Sequence, residues 1–303
     1  MSYDVVIAGG GPAGLAAALM LGRARKRVLL CDAGTPRNAA AVHVHGFVTR
    51  DGITPAEFRR IGRQQLEAYP AVEARDVRVE EIAGERDAFD VRLTTGRVEA
   101  RRILLCTGMI DEVPEIDGFR ALWGASIFQC PYCHGWEIQN QRFGYLATKV
   151  EALEFPLLLR AWTSEVTALT DGKFAVPPEA GARLTAGGVR IEQRPIARLV
   201  PNGGHLERIE FADGQSLPCD ALFAHPRQRQ GDLVRSLGLV LDETGYVQID
   251  AVQRETSVPG IYAAGDLASA VQGALVAAAS GVQAATRLNH ALTVDLAITG
   301  ALA

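Results

Sequence analysis

Residues 4–32 pack five signals into one short run. DVVIA at 4–8 reads as a buried strand, GGGPAG follows at 9–14, and residues 15–23 have helical composition. RVLLC at 27–31 is a second buried strand, and Asp32 closes it. Strand, G-x-G-x-x-G, helix, strand and acid in that order predict a βαβ dinucleotide-binding unit. In such a unit Gly9 allows the tight turn and Gly11 lets the backbone approach a pyrophosphate. Gly14 lets helix and strand pack closely, and the helix N-terminus offers free N–H groups to phosphate. Asp32 is placed to accept from ribose hydroxyls, at about the 20-residue offset such units use.

The chain has 303 residues, enough for two compact domains, and 48% of them are hydrophobic. Its net charge is −4 with scattered basic residues, so no basic stripe marks a nucleic-acid surface. The start, MSYDVVIAGGG, carries an acid where a signal peptide has a basic segment. The uncharged stretches 5–22 and 267–286 are broken by GGGP and by Gln272, Ser280 and Gln283, and read as soluble elements with no membrane partner. Five cysteines, with Cys31, Cys106 and Cys219 inside apolar strand-like runs, argue against a secreted disulfide framework. The expected location is the cytoplasm.

Residues 129–136 read QCPYCHGW. C-x-x-C-H is a c-type haem signature, C-x-x-C is half of many zinc sites, and it is also the smallest redox-active disulfide. Haem attachment belongs to exported chains. A zinc site needs a second ligand pair, and the other Cys and His residues have no such spacing, so no metal is expected. The redox disulfide is the leading reading.

Further on, residues 91–93 and 102–106 are strand-like. Residues 142–146 form a strand, 152–162 a helix and 165–169 a strand. Residues 188–192, 206–211 and 221–224 complete a second β-rich unit. A small-residue helix runs to residue 292, and no repeat appears.

GGGPAG at 9–14, CTG at 106–108, CPYC at 130–133 and TSVPGIYAAGD at 256–266 together resemble the low-molecular-weight thioredoxin reductases, FAD-dependent disulfide oxidoreductases. The resemblance covers nearly the whole chain. It implies an α/β fold of two Rossmann-like (three-layer ββα) nucleotide-binding domains, the second inserted into the first. The FAD domain would comprise 1–111 and 226–303, and the insert 112–225 would carry the redox pair. It also implies a homodimer. Cys133 would face the flavin and Cys130 the substrate. FAD contacts would come from Gly9, Gly11, Pro12, Ala13 and Gly14, then Asp32 and Ala33, and then Arg37, Asn38 and His45. Thr107 and Gly108, Gly265 and Asp266, and Gln272, Gly273 and Ala274 complete that set.

Two departures matter. A pyridine-nucleotide-dependent member would carry a second G-x-G-x-x-G/A after the strand at 142–146, where this chain has Ala147-Thr-Lys-Val-Glu-Ala152. Side chains there keep the backbone from a pyrophosphate. Where an arginine cluster would meet a 2′-phosphate, the chain has Thr170-Asp171-Gly172-Lys173. The second departure is His134, where thioredoxin reductases place an acid. C-x-x-C-H-G-[WY]-E resembles dithiol oxidases that close disulfides in small sulfur-containing natural products, such as the gliotoxin and holomycin oxidases. A neutral imidazole is a better proton acceptor at pH 7 than a carboxylate. The alternative role for His134 is a helix cap. His43 and His45 alternate, so in an extended strand they share a face, and either is a candidate for flavin or substrate contact.

The expected function is oxidation of a dithiol by an FAD enzyme that uses dioxygen and not NADPH, acting on a small dithiol or a thioredoxin-like protein. Two rival readings are a thioredoxin reductase fed by ferredoxin or an atypically bound NAD(P)H, and a flavin redox sensor without turnover.

Overall fold

The computed structural model describes residues 2–301. It is a mixed α/β structure that divides into two compact units. One unit runs to Ala39, resumes for Phe47–Ile110 and takes up the chain again from Gln228. The other comprises Asp111–Arg227 together with Ala40–Gly46, a short segment that sequence reading left with its neighbours.

The first unit is organised by a seven-stranded sheet. Its order is Val72–Arg75, Val28–Cys31, Ser2–Ala8, Gly96–Leu105, Ala88–Leu93, Val79–Glu85. The first four strands are parallel, and the last two add an antiparallel meander to the start of Gly96–Leu105. Ile261–Ala263 pairs in parallel with the end of that same strand, Ile103–Leu105, so one long strand serves two partners on one edge. Val5, Val6, Ile7, Leu29 and Leu30 are fully buried, as a strand covered on both faces requires.

The first helix, Pro12–Arg23, and the last, Ala274–Ile298, pack on this sheet. They cross where a Cβ added to Gly281 would overlap the carbonyl oxygen of Ala13, so only glycine admits that approach. Arg102 is a fully buried arginine in this unit. Its guanidinium donates to Asp87 at 2.6 Å and to Asp295 of the last helix at 2.5 Å. Removing a partner of a buried charge is strongly destabilising. Asp295→Ala leaves Asp87 to hold the charge and removes one charge-assisted hydrogen bond to a half-exposed carboxylate, so it should cost about 1.5 kcal/mol, read as a lower urea midpoint with an unchanged slope.

The second unit holds a five-stranded, all-parallel sheet in the order Val189–Glu192, Val166–Leu169, Phe143–Leu146, Ala221–Ala224, Ile127–Phe128. From Phe143–Leu146 the chain winds to one side through Val166–Leu169, while Ala221–Ala224 lies on the other. The topological switch point therefore falls between Phe143–Leu146 and Ala221–Ala224. A three-stranded antiparallel sheet, Ile196–Asn202, His205–Phe211 and Ser216–Pro218, packs beside it.

The helix expected over residues 152–162 is not continuous. A 3-10 turn, Val150–Glu154, gives way to a short α-helix, Phe155–Leu159, with Pro156 in its first turn. Proline suits a first turn but cannot continue an incoming helix, so it sets the break. The helices Pro55–Leu66 and Pro178–Ala186 were not anticipated. Among the described residues no helix is long and apolar enough to cross a membrane, and no group of metal-ligating side chains occurs.

Candidate active site

The redox segment starts where the edge strand Ile127–Phe128 ends. Cys130 is the N-cap of a single helical turn, Pro131–His134, and Cys133 lies within that turn. Pro131 at the first position fixes the turn, because its φ already suits a helix and its missing N–H would be unbonded there. The turn brings the two Cα atoms to 5.3 Å, and Cys130 and Cys133 are disulfide-bonded and half-buried. Cys31, Cys106 and Cys219 are buried free thiols. Burial pushes Cys31 and Cys219 up to about 12, so they stay protonated and inert.

His134 ends the same turn. Its ring stacks on Phe128, with centroids 4.3 Å apart and planes at 19°, and both ring nitrogens are buried, near the backbone of Cys130. Burial holds its pKa below the ordinary imidazole value, and Glu137 opposes that shift.

His45 faces this segment from Ala40–Gly46. Its Nε2 lies 3.4 Å from Oε1 of Glu137, and its ring centroid is 5.8 Å from that of His43. Tyr132 and Trp136 are the exposed aromatic side chains among the large hydrophobics of the described residues, 71% and 72% exposed; Tyr132 lies between the two cysteines and Trp136 three residues beyond Cys133. Tyr132 meets Trp162 edge-on at 5.3 Å.

At the switch point of the second sheet, the strand Phe143–Leu146 continues into buried Ala147. Aromatic rings line the carboxyl ends of the strands. Tyr145 stacks on Phe155 at 4.8 Å and its hydroxyl lies 3.2 Å from Nδ1 of His225, while His225 meets Phe155 edge-on at 4.5 Å. In the turn at 170–173, Asp171 pairs with Lys173 at 3.1 Å and accepts from the backbone N–H of Ile196 at 2.7 Å. Its charges are satisfied within the unit.

The residues assigned to FAD by resemblance gather in the first unit, apart from His45. Gly9 has φ +116°, and a Cβ there would overlap the Cys106 carbonyl; one on Gly14 would overlap Gly9. A Cβ at Gly11 meets nothing within 4 Å. Gly11 and Gly273 are the N-caps of the helices Pro12–Arg23 and Ala274–Ile298, with neither a capping side chain nor an acid in the first turn. The first N–H groups of both helices are left without intrahelical partners, as a pyrophosphate requires. The two ends also converge: a Cβ added to Gly265 would lie 3.1 Å from Ala13 and 3.8 Å from Ala277.

Around these helix ends, Arg37 donates to Asp266 at 3.0 Å and to Gln272 at 2.5 Å. Gln272 exchanges hydrogen bonds with Gln228, which also accepts from the Tyr246 hydroxyl. Gln228 and Tyr246 went unnoticed in the sequence because nothing local marks them. Asp32 is buried, accepts from the Gly34 N–H at 2.9 Å and pairs with Arg59 at 2.5 Å. A carboxylate has about four acceptor positions, so this leaves capacity for a ribose. Asn38 lies in the 3-10 turn Arg37–Ala40, and Ala33, Thr107 and Gly108 border the strand ends. Open space before Gly11, two uncapped helix ends and a buried acid fit FAD.

A family model described as pyridine nucleotide-disulphide oxidoreductase matches residues 3–281. Thioredoxin reductase sirT of Leptosphaeria maculans is 31% identical, with 97% of this chain and 96% of that protein covered. An oxidoreductase from Agrobacterium tumefaciens superposes with a TM-score of 0.90 at 36% identity, covering 96% of this chain and 99% of that one. HlmI superposes at 0.91, also at 36% identity, covering 99% and 95%. Sequence motif, sheet topology and relatives agree: the chain belongs to the pyridine nucleotide-disulphide oxidoreductase family, as a thioredoxin reductase-like, FAD-dependent enzyme acting on disulfides.

Proposed function

We propose that this enzyme oxidises a small dithiol to a disulfide with dioxygen as the final acceptor, and that it does so without NADPH. The observation that carries the reading is the second sheet's switch point. There Ala147 and the turn Val150–Glu154 stand where a nucleotide-binding glycine turn would be, and the rings of Tyr145, Phe155 and His225 line the strand ends. A nucleotide pyrophosphate needs close backbone approach, and the side chains of Ala147 to Ala152 stand where glycines would allow it. The exposed rings of Tyr132 and Trp136 support a small apolar substrate.

In this reading a substrate thiolate attacks the Cys130 sulfur and the Cys130–Cys133 bond breaks, leaving a mixed disulfide and the Cys133 thiolate. The substrate's second thiolate then attacks its own sulfur in the mixed disulfide. The product leaves as a disulfide, and the protein keeps a reduced pair. Two protons leave the substrate, and His134 accepts one of them as it is released. FAD, when bound, supplies the two-electron relay from the reduced pair to dioxygen, which ends as hydrogen peroxide. Arg37, Asp266, Gln272, Asp32 and the two glycine-capped helix ends are the groups that would hold it. We assign residues 1–111 and 226–303 to the FAD domain and 112–225 to the redox insert, and infer a cytoplasmic homodimer.

The family's pyridine-nucleotide chemistry favours a second reading, a reductase passing electrons from a donor to a thioredoxin-like protein. Two measurements separate them. Dithiothreitol should drive oxygen consumption with matching peroxide, and anaerobic NADPH in excess should leave the flavin oxidised. Rapid bleaching at micromolar NADPH, with no dithiol-dependent oxygen uptake, would establish the reductase instead.

A further inference from the structure

The G-x-G-x-x-G pattern accounts for Gly9, Gly11 and Gly14 but leaves position 10 open to a side chain. This chain has a further glycine there, and its φ is not positive, so its own backbone makes no demand for one. The demand comes from Asp32: a Cβ on Gly10 would overlap the Asp32 carboxylate, which therefore rests directly on the turn, one residue before Gly11. Two further groups hold that carboxylate. The Gly34 N–H donates to Oδ1 at 2.9 Å, and Arg59 Nη2 donates to Oδ2 at 2.5 Å.

Arg59 belongs to the helix Pro55–Leu66, which carries Arg63 one turn further on the same side. Arg63 pairs with Asp76 at 2.7 Å. The two acids follow neighbouring parallel strands, Val28–Cys31 and Val72–Arg75, in which Cys31 lies opposite Arg75. One helix thus meets two strand ends through two similar ion pairs. Burial separates them: the side chain of Asp76 is 77% exposed, that of Asp32 only 8%.

We propose that Arg59 is a positioning residue for FAD, holding the Asp32 carboxylate toward the ribose and offsetting its charge beside the pyrophosphate, while Arg63 only fastens the helix. This rests on the reading of Asp32 as the ribose acceptor. A buried charge that loses its partner is costly. A carboxylate on the glycine turn also opposes the charge of a pyrophosphate unless a cation balances it. Arg59 and Gly34 take one acceptor position each, leaving about two for ribose hydroxyls.

Holoenzyme is diluted in series and released FAD is read by its fluorescence, with FAD added back to any variant that purifies without it. Arg59→Met should weaken FAD binding on the order of tenfold to a hundredfold, the worth of a hydrogen-bonded charge partner. Arg59→Lys should recover part of that loss. Arg63→Met removes the exposed pair of the same helix and should leave the affinity within about twofold. Asp32→Asn should weaken binding, because an amide accepts fewer hydrogen bonds. Added to Arg59→Met, it should nevertheless give tighter binding than Arg59→Met alone, since no unbalanced charge then remains. Arg63→Met as damaging as Arg59→Met, or a double variant weaker than Arg59→Met, would make Arg59 a helix fastener and overturn the proposal. Parental affinity in Asp32→Asn would overturn the ribose reading and the proposal with it. A loss in Asp32→Asn beside parental affinity in Arg59→Met would overturn the proposal alone.

Discussion

Cys133→Ser should reduce dithiol oxidation to the uncatalysed background and leave Cys130 as a free thiol. Thiol–disulfide exchange proceeds only by a thiolate attacking a disulfide sulfur, and a serine hydroxyl can neither form the pair nor leave from it. With Cys130 alone, a small acyclic disulfide should exchange at Cys130, releasing one of its two thiols and leaving the other half attached, visible as a mass increase that a reducing agent removes. Cys130→Ser should be equally inactive. Its remaining thiol, which the proposed mechanism turns away from substrate, should label more slowly. Both variants should remain folded, since the bond closes only a very short loop and loop closure of that size contributes about 2 kcal/mol. Turnover by both variants at the parental rate would make the disulfide structural. Faster trapping at Cys133 than at Cys130 would reverse the assigned roles.

His134→Phe should lose about 10²–10⁴-fold in the single-turnover rate of reaction with dithiol, the usual contribution of general-base assistance. Phenylalanine preserves the stack on Phe128, so a rate loss with unchanged folding isolates the missing base from the missing ring. The sign of the pH effect follows from burial. The neutral imidazole is the accepting form, and burial lowers its pKa below the ordinary value. The parent rate should thus persist on the acid side of 6.5 and fall only as pH drops through the lowered midpoint. An unperturbed histidine would lose activity earlier. Substrate thiols and the cysteine pair ionise on the alkaline side, so the profile also climbs there, and the decisive comparison is the acid limb. If His134→Phe leaves rate and limb unchanged, the proton acceptor is another group, with His45, which pairs with Glu137 of this segment, the next to test.

Two parts of the protein were legible because they are local. A glycine-rich turn between a buried strand and a helix is a short-range signal: Gly9 and Gly14 are demanded by backbone atoms that the turn itself brings close, or that end the neighbouring strand. C-x-x-C on one helical turn is equally self-contained, since four residues and a proline suffice to bring the cysteine Cα atoms to 5.3 Å. The loss of the second glycine turn could be read for the same reason. The helix expected over 152–162 failed on a local detail, Pro156, whose effect depends on where the helix starts.

What the sequence by itself determined is therefore the βαβ unit, the redox pair and the missing second nucleotide turn, because each is fixed by the conformational limits of neighbouring residues. Only the tertiary structure decided the rest. Arg37 meets Asp266 and Gln272 because the last third of the chain returns to the first sheet through Ile261–Ala263. His45 meets Glu137 because Ala40–Gly46 folds with the second unit. Tyr145 meets His225 because Phe143–Leu146 and Ala221–Ala224 are paired in parallel across the switch point. Such contacts join residues whose separation along the chain carries no periodic or turn signal. Burial of both sheets' apolar faces selects the topology that creates them, and that selection is a property of the whole chain.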